Sequence, residues 1–158
     1  MTQREKDIIR ELAKRYMEYA TDESQRKMDE RMLATNDLKL VRPPVLLDEI
    51  PWFEMNIDNE LTCLCEDRTA VRIETWLRQS LYRRKHFKAD TLFEPFYRVR
   101  MAYDATDIGI DVQETTKSTN EKNHIISHSY EDILEDEESV ERIKIPTFTA
   151  RPDKDERS

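Results

Sequence analysis

One glycine, Gly109, occurs in the 158 residues. Neither a G-x-G-x-x-G dinucleotide fingerprint nor a Walker loop can be written with it, so both glycine-dependent phosphate cradles are excluded. Left-handed turns must instead fall to Asn and Asp, as at Asp58-Asn59 and at Asn120. Cysteine is nearly as scarce, with Cys63 and Cys65 the only two. Zinc asks for four ligands and no histidine lies near them in sequence, so two reduced, partly buried thiols are expected rather than half a metal site. Neighbours this close rarely join in a disulfide. Long apolar runs are missing too: none approaches the roughly 20 residues that span a bilayer, and the start MTQREKDIIRELAKRY lacks the apolar block of a signal peptide. A cytoplasmic chain without membrane contact is expected.

Charge is what the sequence has in abundance. Asp and Glu number 34 against 26 Lys and Arg, giving a net charge of -8, which repels nucleic acid unless a local patch overrides it. The best patch, residues 78–88 (RQSLYRRKHFK), reads as the solvated C-terminal half of a helix, where the helix dipole favours cations. No nucleic-acid partner is expected. Apolar residues at 37% suffice for one ordinary core.

The patterning begins with Ile8, Ile9, Leu12, Tyr16 and Tyr19 at three- and four-residue spacing, an amphipathic helix over residues 4–20. Asp22 or Ser24 caps a second helix through Met28, Met32 and Leu33, ending near Asn36. Residues 41–52, VRPPVLLDEIPW, then stand out as the stretch the chain is organised around. Two prolines stiffen the entry, four apolar residues follow, and Asp48 and Glu49 interrupt the run. This predicts a short buried strand of a parallel sheet, with its acids at the carboxyl end where ligands sit. The segment PWFEMNIDNELTCLCED reads as a loop with a short extended piece at 61–65. Helical period returns from about 67 to 85 through Val71, Ile73, Trp76, Leu77, Leu81 and Tyr82, and residues 89–95 look extended again, completing a βαβ unit. Glu94 then ends the second strand as Asp48 and Glu49 end the first. Past Tyr97, strand-like runs at 99–103, 108–112 and 124–128 predict hairpins, and ESVERIKIP predicts a short helix before a charged end.

Asp48, Glu49 and Glu94 on one rim are suited to general acid or base work, or to orienting a cationic or hydroxylated substrate. Trp52, Tyr97 and Arg98 are the expected pocket neighbours. The competing reading is internal ion pairing with Arg42, Arg98 or Arg100. His124 and His128 would chelate a metal on a helix, but Ile125, Ile126 and Ser127 favour a strand, where that spacing separates them by roughly 13 Å. No metal is expected there, and His86 reads as a helix-end residue rather than a catalytic base.

Three segments, VRPPVLLDEIPWFEMNIDNELTCLCED, LRQSLYRRKHFKADTLFEPFYRV and HIISHSYEDILEDEESVERIKIPTF, resemble the N-terminal part of uroporphyrinogen-decarboxylase-like proteins of anaerobic bacteria. That superfamily also contains cobalamin-dependent methyltransferases. The resemblance covers residues 38–148 and rests on a spread pattern rather than a short catalytic signature. It implies an α/β fold of the (β/α)8 TIM-barrel type, with the active site at the C-terminal rim of the strands. A whole barrel takes about 250 residues. The expectation is therefore an incomplete barrel: a helical arm at 1–40, the first βαβ with a β-hairpin insertion at 41–150, and a charged tail at 151–158.

The departures shape the functional expectation. Decarboxylases follow the first strand with an arginine-rich segment that grips the porphyrinogen carboxylates, where this chain has Asp48 and Glu49, which repel a polyanion. Glu94 falls before, and Tyr97 near, the place of the decarboxylases' catalytic aspartate. A methyltransferase-like fragment, inactive alone, is expected in preference to a porphyrinogen decarboxylase. The resemblance implies a corrinoid protein as partner and a zinc site on later strands of full-length relatives, with no cofactor in this chain. The expected partner is the missing C-terminal barrel portion or a second copy. The alternative is a non-catalytic interaction module that binds through its helices and exposed strand edges.

Overall fold

The computed structural model describes residues 1–39, 41–99, 101–118, 126–134 and 136–151. It is mixed helix and sheet, divided into two units, Met1–Tyr97 and Arg98–Ser158. The first unit is built on helices. Thr2 and Glu5 form a capping box that starts α1, Gln3–Ala20, whose buried stripe is Leu12, Tyr16 and Ala20. Asp22 caps α2, Glu23–Asn36, through the Ser24 N–H, as the sequence predicts. Pro51 precedes a single turn, α3, Trp52–Met55. Asp67 caps α4, Arg68–His86, by accepting from the N–H groups of Thr69 and Ala70, and the last turn carries Arg83, Arg84, Lys85 and His86 as its dipole prefers.

Helices α1 and α4 lie side by side and run in the same direction. Glu5, near the start of α1, accepts from the backbone N–H groups of Glu66 and Asp67 at the start of α4, and near the other end the Arg84 guanidinium covers the Tyr19 ring at 5.5 Å. The seam is the core: Leu12, Tyr16 and Ala20 meet Leu77, Leu81 and Phe93, flanked by Ile8, Ile9, Ala13, Ile73 and Trp76. Tyr16 binds this seam together. Its ring centroid lies 4.7 Å from that of Trp76 and 6.0 Å from that of Phe93, and its hydroxyl donates to the Glu94 carbonyl at 2.8 Å. Residues 1–40 are thus not a separate arm, because α1 supplies half of the core that α4 needs.

Residues 41–50 and 89–95 are not strands, and the predicted parallel pair is not formed among the described residues. The cause is the missing ladder. Pro43 and Pro44 have no N–H to give, no further strand lies alongside, and Glu49 turns left-handed at φ +51°. No barrel is formed by the described residues. The two segments nonetheless touch, since the Asp90 N–H donates to the Val45 carbonyl at 2.8 Å while the Val45 N–H donates to the Asp90 carboxylate at 2.8 Å. The extended piece at 61–65 is likewise no strand; its Leu64 and Cys65 N–H groups donate to Glu74 of α4, and its Leu61 N–H to Asn56 Oδ1.

The second unit carries the described strands, in two two-stranded sheets. Tyr103–Ala105 (β1) pairs antiparallel with Phe148–Ala150 (β4), and Glu114–Ser118 (β2) with Ile126–Tyr130 (β3); α5, Glu137–Glu141, lies between β3 and β4 in the chain. The predicted hairpin is there, shifted. The run at 108–112 is not a strand, because the glycine inside it bends the chain: Gly109 has φ +78°, and a Cβ there would lie 3.0 Å from Lys144 Cδ. Gly109→Ala should therefore destabilise the second unit by about 1–2 kcal/mol, read as a lowered urea midpoint at unchanged slope. Of the Asn and Asp turns, Asn59 is left-handed at φ +58°. Asn120, His124 and Arg100 lie outside the described residues, as does the charged tail from 152 onward. The helix predicted over ESVERIKIP is shorter than expected, with Arg142 at its C-cap and Lys144 beyond it.

Candidate functional site

The side chains singled out from the sequence are spread around α4. Trp52 sets its ring edge-on to Tyr82 at 6.1 Å and lies under the Arg83 guanidinium at 5.3 Å. Tyr97 packs edge-on to Trp76 at 5.0 Å. Glu94 is half-buried beside Tyr16, and its charge together with burial, the larger cause, pushes the Tyr16 hydroxyl up to about 12. Asp48 and Glu49 are exposed and make no hydrogen bond or ion pair among the described residues. Their rim with Glu94 required two parallel strands, and those strands are not formed. Arg98 is exposed and opens the second unit. Arg42, weighed as a partner for these acids, pairs instead with Asp90 at 2.7 Å.

Three other carboxylates carry the electrostatics of this unit. Glu74 is fully buried on the core face of α4, accepts from the Leu64 and Cys65 N–H groups at 2.9 Å, and pairs with Arg78 at 2.7 Å. Burial acts most strongly and raises its pKa, but Arg78 and the two amides together prevail and hold it below the ordinary carboxyl value. Glu5 accepts from Glu66 and Asp67 at 2.9 Å each, and these amides with that of Thr2 hold it down to about 2. Asp90 takes Arg42, Arg31 and the Val45 N–H, and is likewise held at about 2, chiefly by Arg42. Each carboxylate fastens an irregular segment to a helix by charge-assisted hydrogen bonds.

One of these was legible. Thr2-Gln3-Arg4-Glu5 is a capping-box pattern, which marks Glu5 as a carboxylate aimed at amides. Glu74 shows only as an acid four residues before Arg78 within an apolar stripe. Asp90 gives no local signal, because its partners Arg31 and Arg42 are 59 and 48 residues away.

Because Glu5 and Asp90 sit below their ordinary values of 4.5 and 3.8, folding favours their charged forms. Their contribution is complete above those ordinary values and disappears as pH falls through about 2. The urea midpoint of Met1–Tyr97 should therefore drop steadily between pH 5 and pH 2, and an Asp90→Asn variant should show a shallower drop. The same substitution should raise the hydrogen-exchange rates of the Val45 and Asp90 amides.

Cys63 and Cys65 are both free, and Cys65 is pushed up to about 12, first by burial and then by Glu74, so it stays protonated. Cys63 Sγ lies 3.2 Å from Thr75 Oγ1. Among the described residues no three His, Cys, Asp or Glu side chains converge as metal ligands. On β3, His128 Nδ1 bonds to Glu114 across the hairpin.

A cleft of about 450 Å3 in this unit is lined by Arg15 and Tyr19 of α1, by Arg78, Tyr82 and Lys85 of α4, and by Asp58 and Glu60. Its cations are largely committed. Arg78 serves Glu74 and the Glu60 carbonyl, and Lys85 bonds Glu60 at 2.7 Å. His86 Nε2 lies 3.2 Å from Glu60, whose pKa is lowered chiefly by Lys85. The arrangement can hold a polar ligand between fixed charges, but it contains no nucleophile set against a free base. No family model, curated protein or solved structure matches the chain.

Proposed function

We propose that the chain is the N-terminal part of a uroporphyrinogen-decarboxylase-like protein, methyltransferase-like rather than a porphyrinogen decarboxylase, and without activity of its own. One observation supports this reading above others: the reciprocal contact between Val45 and Asp90. It joins residues 41–50 to residues 89–95, with the long helix α4 between them in sequence, which is the connectivity of the first strand, helix and second strand of a parallel barrel. A single shared backbone bond is what two such segments retain when no third strand lies beside them. The apolar side chains of the first segment agree, since Val45, Leu46 and Leu47 are 56%, 54% and 40% exposed. A contiguous exposed apolar run of this kind is suited to being covered by a further layer.

On this reading Asp48, Glu49 and Glu94, with Trp52, Tyr97 and Arg98 beside them, line part of a pocket only when both segments join a completed sheet. The two thiols and scattered histidines of this chain do not fit a zinc site, so any zinc or corrinoid chemistry belongs to other polypeptide. The test is the coding sequence that follows the 158 codons. Further strand–helix repeats, in or near frame, are the expected result, and their absence would remove the basis of the reading. The exposed run at 45–47 also favours a second reading, a non-catalytic module that covers this run with a partner or a second copy. Light scattering separates that reading from a self-sufficient fold: a monomer that binds no apolar dye would contradict it.

A further inference from the structure

Every residue of β2 and β3 is exposed, and neither strand has a further strand beside it among the described residues. The hydrogen-bonding phase of this hairpin is fixed by the Glu131 N–H, which donates to the Gln113 carbonyl at 3.2 Å just beyond the paired residues. Backbone bonds alternate along an antiparallel pair, so Ser127 and Ser129 direct their N–H and C=O groups at Lys117 and Thr115 of β2. Ile126, His128 and Tyr130 turn theirs the other way, to the open edge. Those outward groups meet no partner among the described residues. The same alternation puts the side chains of Ile126, His128 and Tyr130 on one face and those of Ser127 and Ser129 on the other.

Open strand edges are ordinarily guarded by charge, by proline or by shortness. β2 carries Glu114 and Lys117, and β1 and β4 are three residues each. β3, Ile-Ser-His-Ser-Tyr, has no carboxylate, ammonium group or proline. Its chemistry is also symmetric about His128, with a serine on either side and then a large apolar or aromatic residue. Two copies laid antiparallel about that histidine therefore match: Ile126 of one faces Tyr130 of the other, Ser127 faces Ser129, and His128 faces His128. The Ile126/Tyr130 and His128/His128 pairs are of the kind that exchanges both N–H···O bonds, and they use the groups that β2 leaves free. Aliphatic–aromatic and hydroxyl–hydroxyl pairs are favourable across strands. Each His128 ring is bonded to Glu114 of its own hairpin, so a carboxylate accompanies each imidazole to the two-fold axis. Glu131 and Asp132 of the two copies fall at opposite ends of the pairing. We infer that the outer edge of β3 is the interface through which two copies of this chain associate, as a four-stranded sheet in the order β2, β3, β3, β2. The assembly closes at two, because its remaining edges are the charged β2 strands. It involves neither residues 41–50 nor 89–95, and it stands or falls independently of the family reading.

The test is hydrogen exchange of the 158-residue protein from about 10 μM to about 1 mM, with mass followed by sedimentation equilibrium. That range brackets a Kd on the order of 100 μM, as expected for so small an interface. At the lowest concentration the Ser127 and Ser129 amides, bonded to β2, should be protected and those of Ile126, His128 and Tyr130 free. At the highest, the three outward amides should exchange about fivefold more slowly, and the average mass should approach twice the 19.0 kDa of one chain. His128→Pro removes an outward N–H that the β2 ladder does not use, and should weaken association about tenfold or more. Thr116→Pro removes the corresponding outward N–H of β2 and should leave association unchanged. Should His128→Pro lose the protection of Ser127 and Ser129, His128→Lys keeps every N–H but sets two ammonium groups face to face, and the same weakening is expected. A monomer at about 1 mM with free outward amides would overturn the proposal and leave the edge to a strand of another protein. Association untouched by the His128 variants, association lost in Thr116→Pro, or concentration-dependent protection confined to Val45, Leu46 and Leu47 would overturn it as well.

Discussion

Arg78→Ala is expected to destabilise Met1–Tyr97 by about 3–5 kcal/mol, enough to unfold much of it at room temperature. Glu74 is the reason. Its carboxylate is 0% exposed, and the Arg78 guanidinium at 2.7 Å is the cation that keeps it ionised. Without that cation, a buried charge must either remain uncompensated or take up a proton, and a proton would in turn weaken its bonds to the Leu64 and Cys65 amides. An apolar replacement of both residues should not rescue the fold, because those two N–H groups would still lose their acceptor. The exposed pair Lys85–Glu60 is the internal comparison, with the same 2.7 Å separation but solvent around it. Lys85→Ala should cost under about 1 kcal/mol. Urea unfolding of the variants measures the contrast, and near-equal losses would mean that burial of Glu74 is not what holds residues 61–66 on α4.

Leu77→Ala should cost about 2–5 kcal/mol. Leu77 is buried at the centre of the seam between α1 and α4, among Leu12, Tyr16, Leu81 and Phe93. With helices on two sides fixed by Glu5 and Tyr16, the seam has little freedom to close on the space left by the leucine side chain. Leu33 on α2 is exposed, and Leu33→Ala should stay within about 0.5 kcal/mol of the parent. A loss at Leu77 as small as that at Leu33 would place the core elsewhere than along this seam.

The helices of the first unit could be read from the sequence because their causes are local. Leu12 and Tyr16 repeat at helical spacing, and Thr2, Asp22 and Asp67 are caps whose partners lie within three residues. The strands could not be read in the same way. A run such as Val45-Leu46-Leu47 has strand composition, yet a strand exists only where another chain segment supplies the ladder, and composition does not say whether one does. The segment and its acids were identifiable; their pairing was not. The β2 and β3 hairpin shows the converse, since Thr115, Thr116, Lys117 and Ser118 look like a polar link and become a strand because Ser129, His128, Ser127 and Ile126 stand opposite. The buried carboxylates divide by range: Glu5 follows from its capping box, whereas Asp90 needs Arg31 and Arg42 brought from distant points of the chain.

The proposal turns on whether residues 41–50 and 89–95, joined here at one contact, become neighbouring strands when the rest of a larger sheet is present. Its most direct test is hydrogen exchange on the chain alone and on the chain expressed together with the polypeptide encoded directly after it. In the chain alone, the Asp90 amide should be protected and those of Leu46, Leu47 and Leu92 should exchange freely. With the following polypeptide present, protection should spread from Asp90 to all three. If Leu46, Leu47 and Leu92 remain unprotected in that complex, the two segments are not strands of a common sheet, and the account is contradicted.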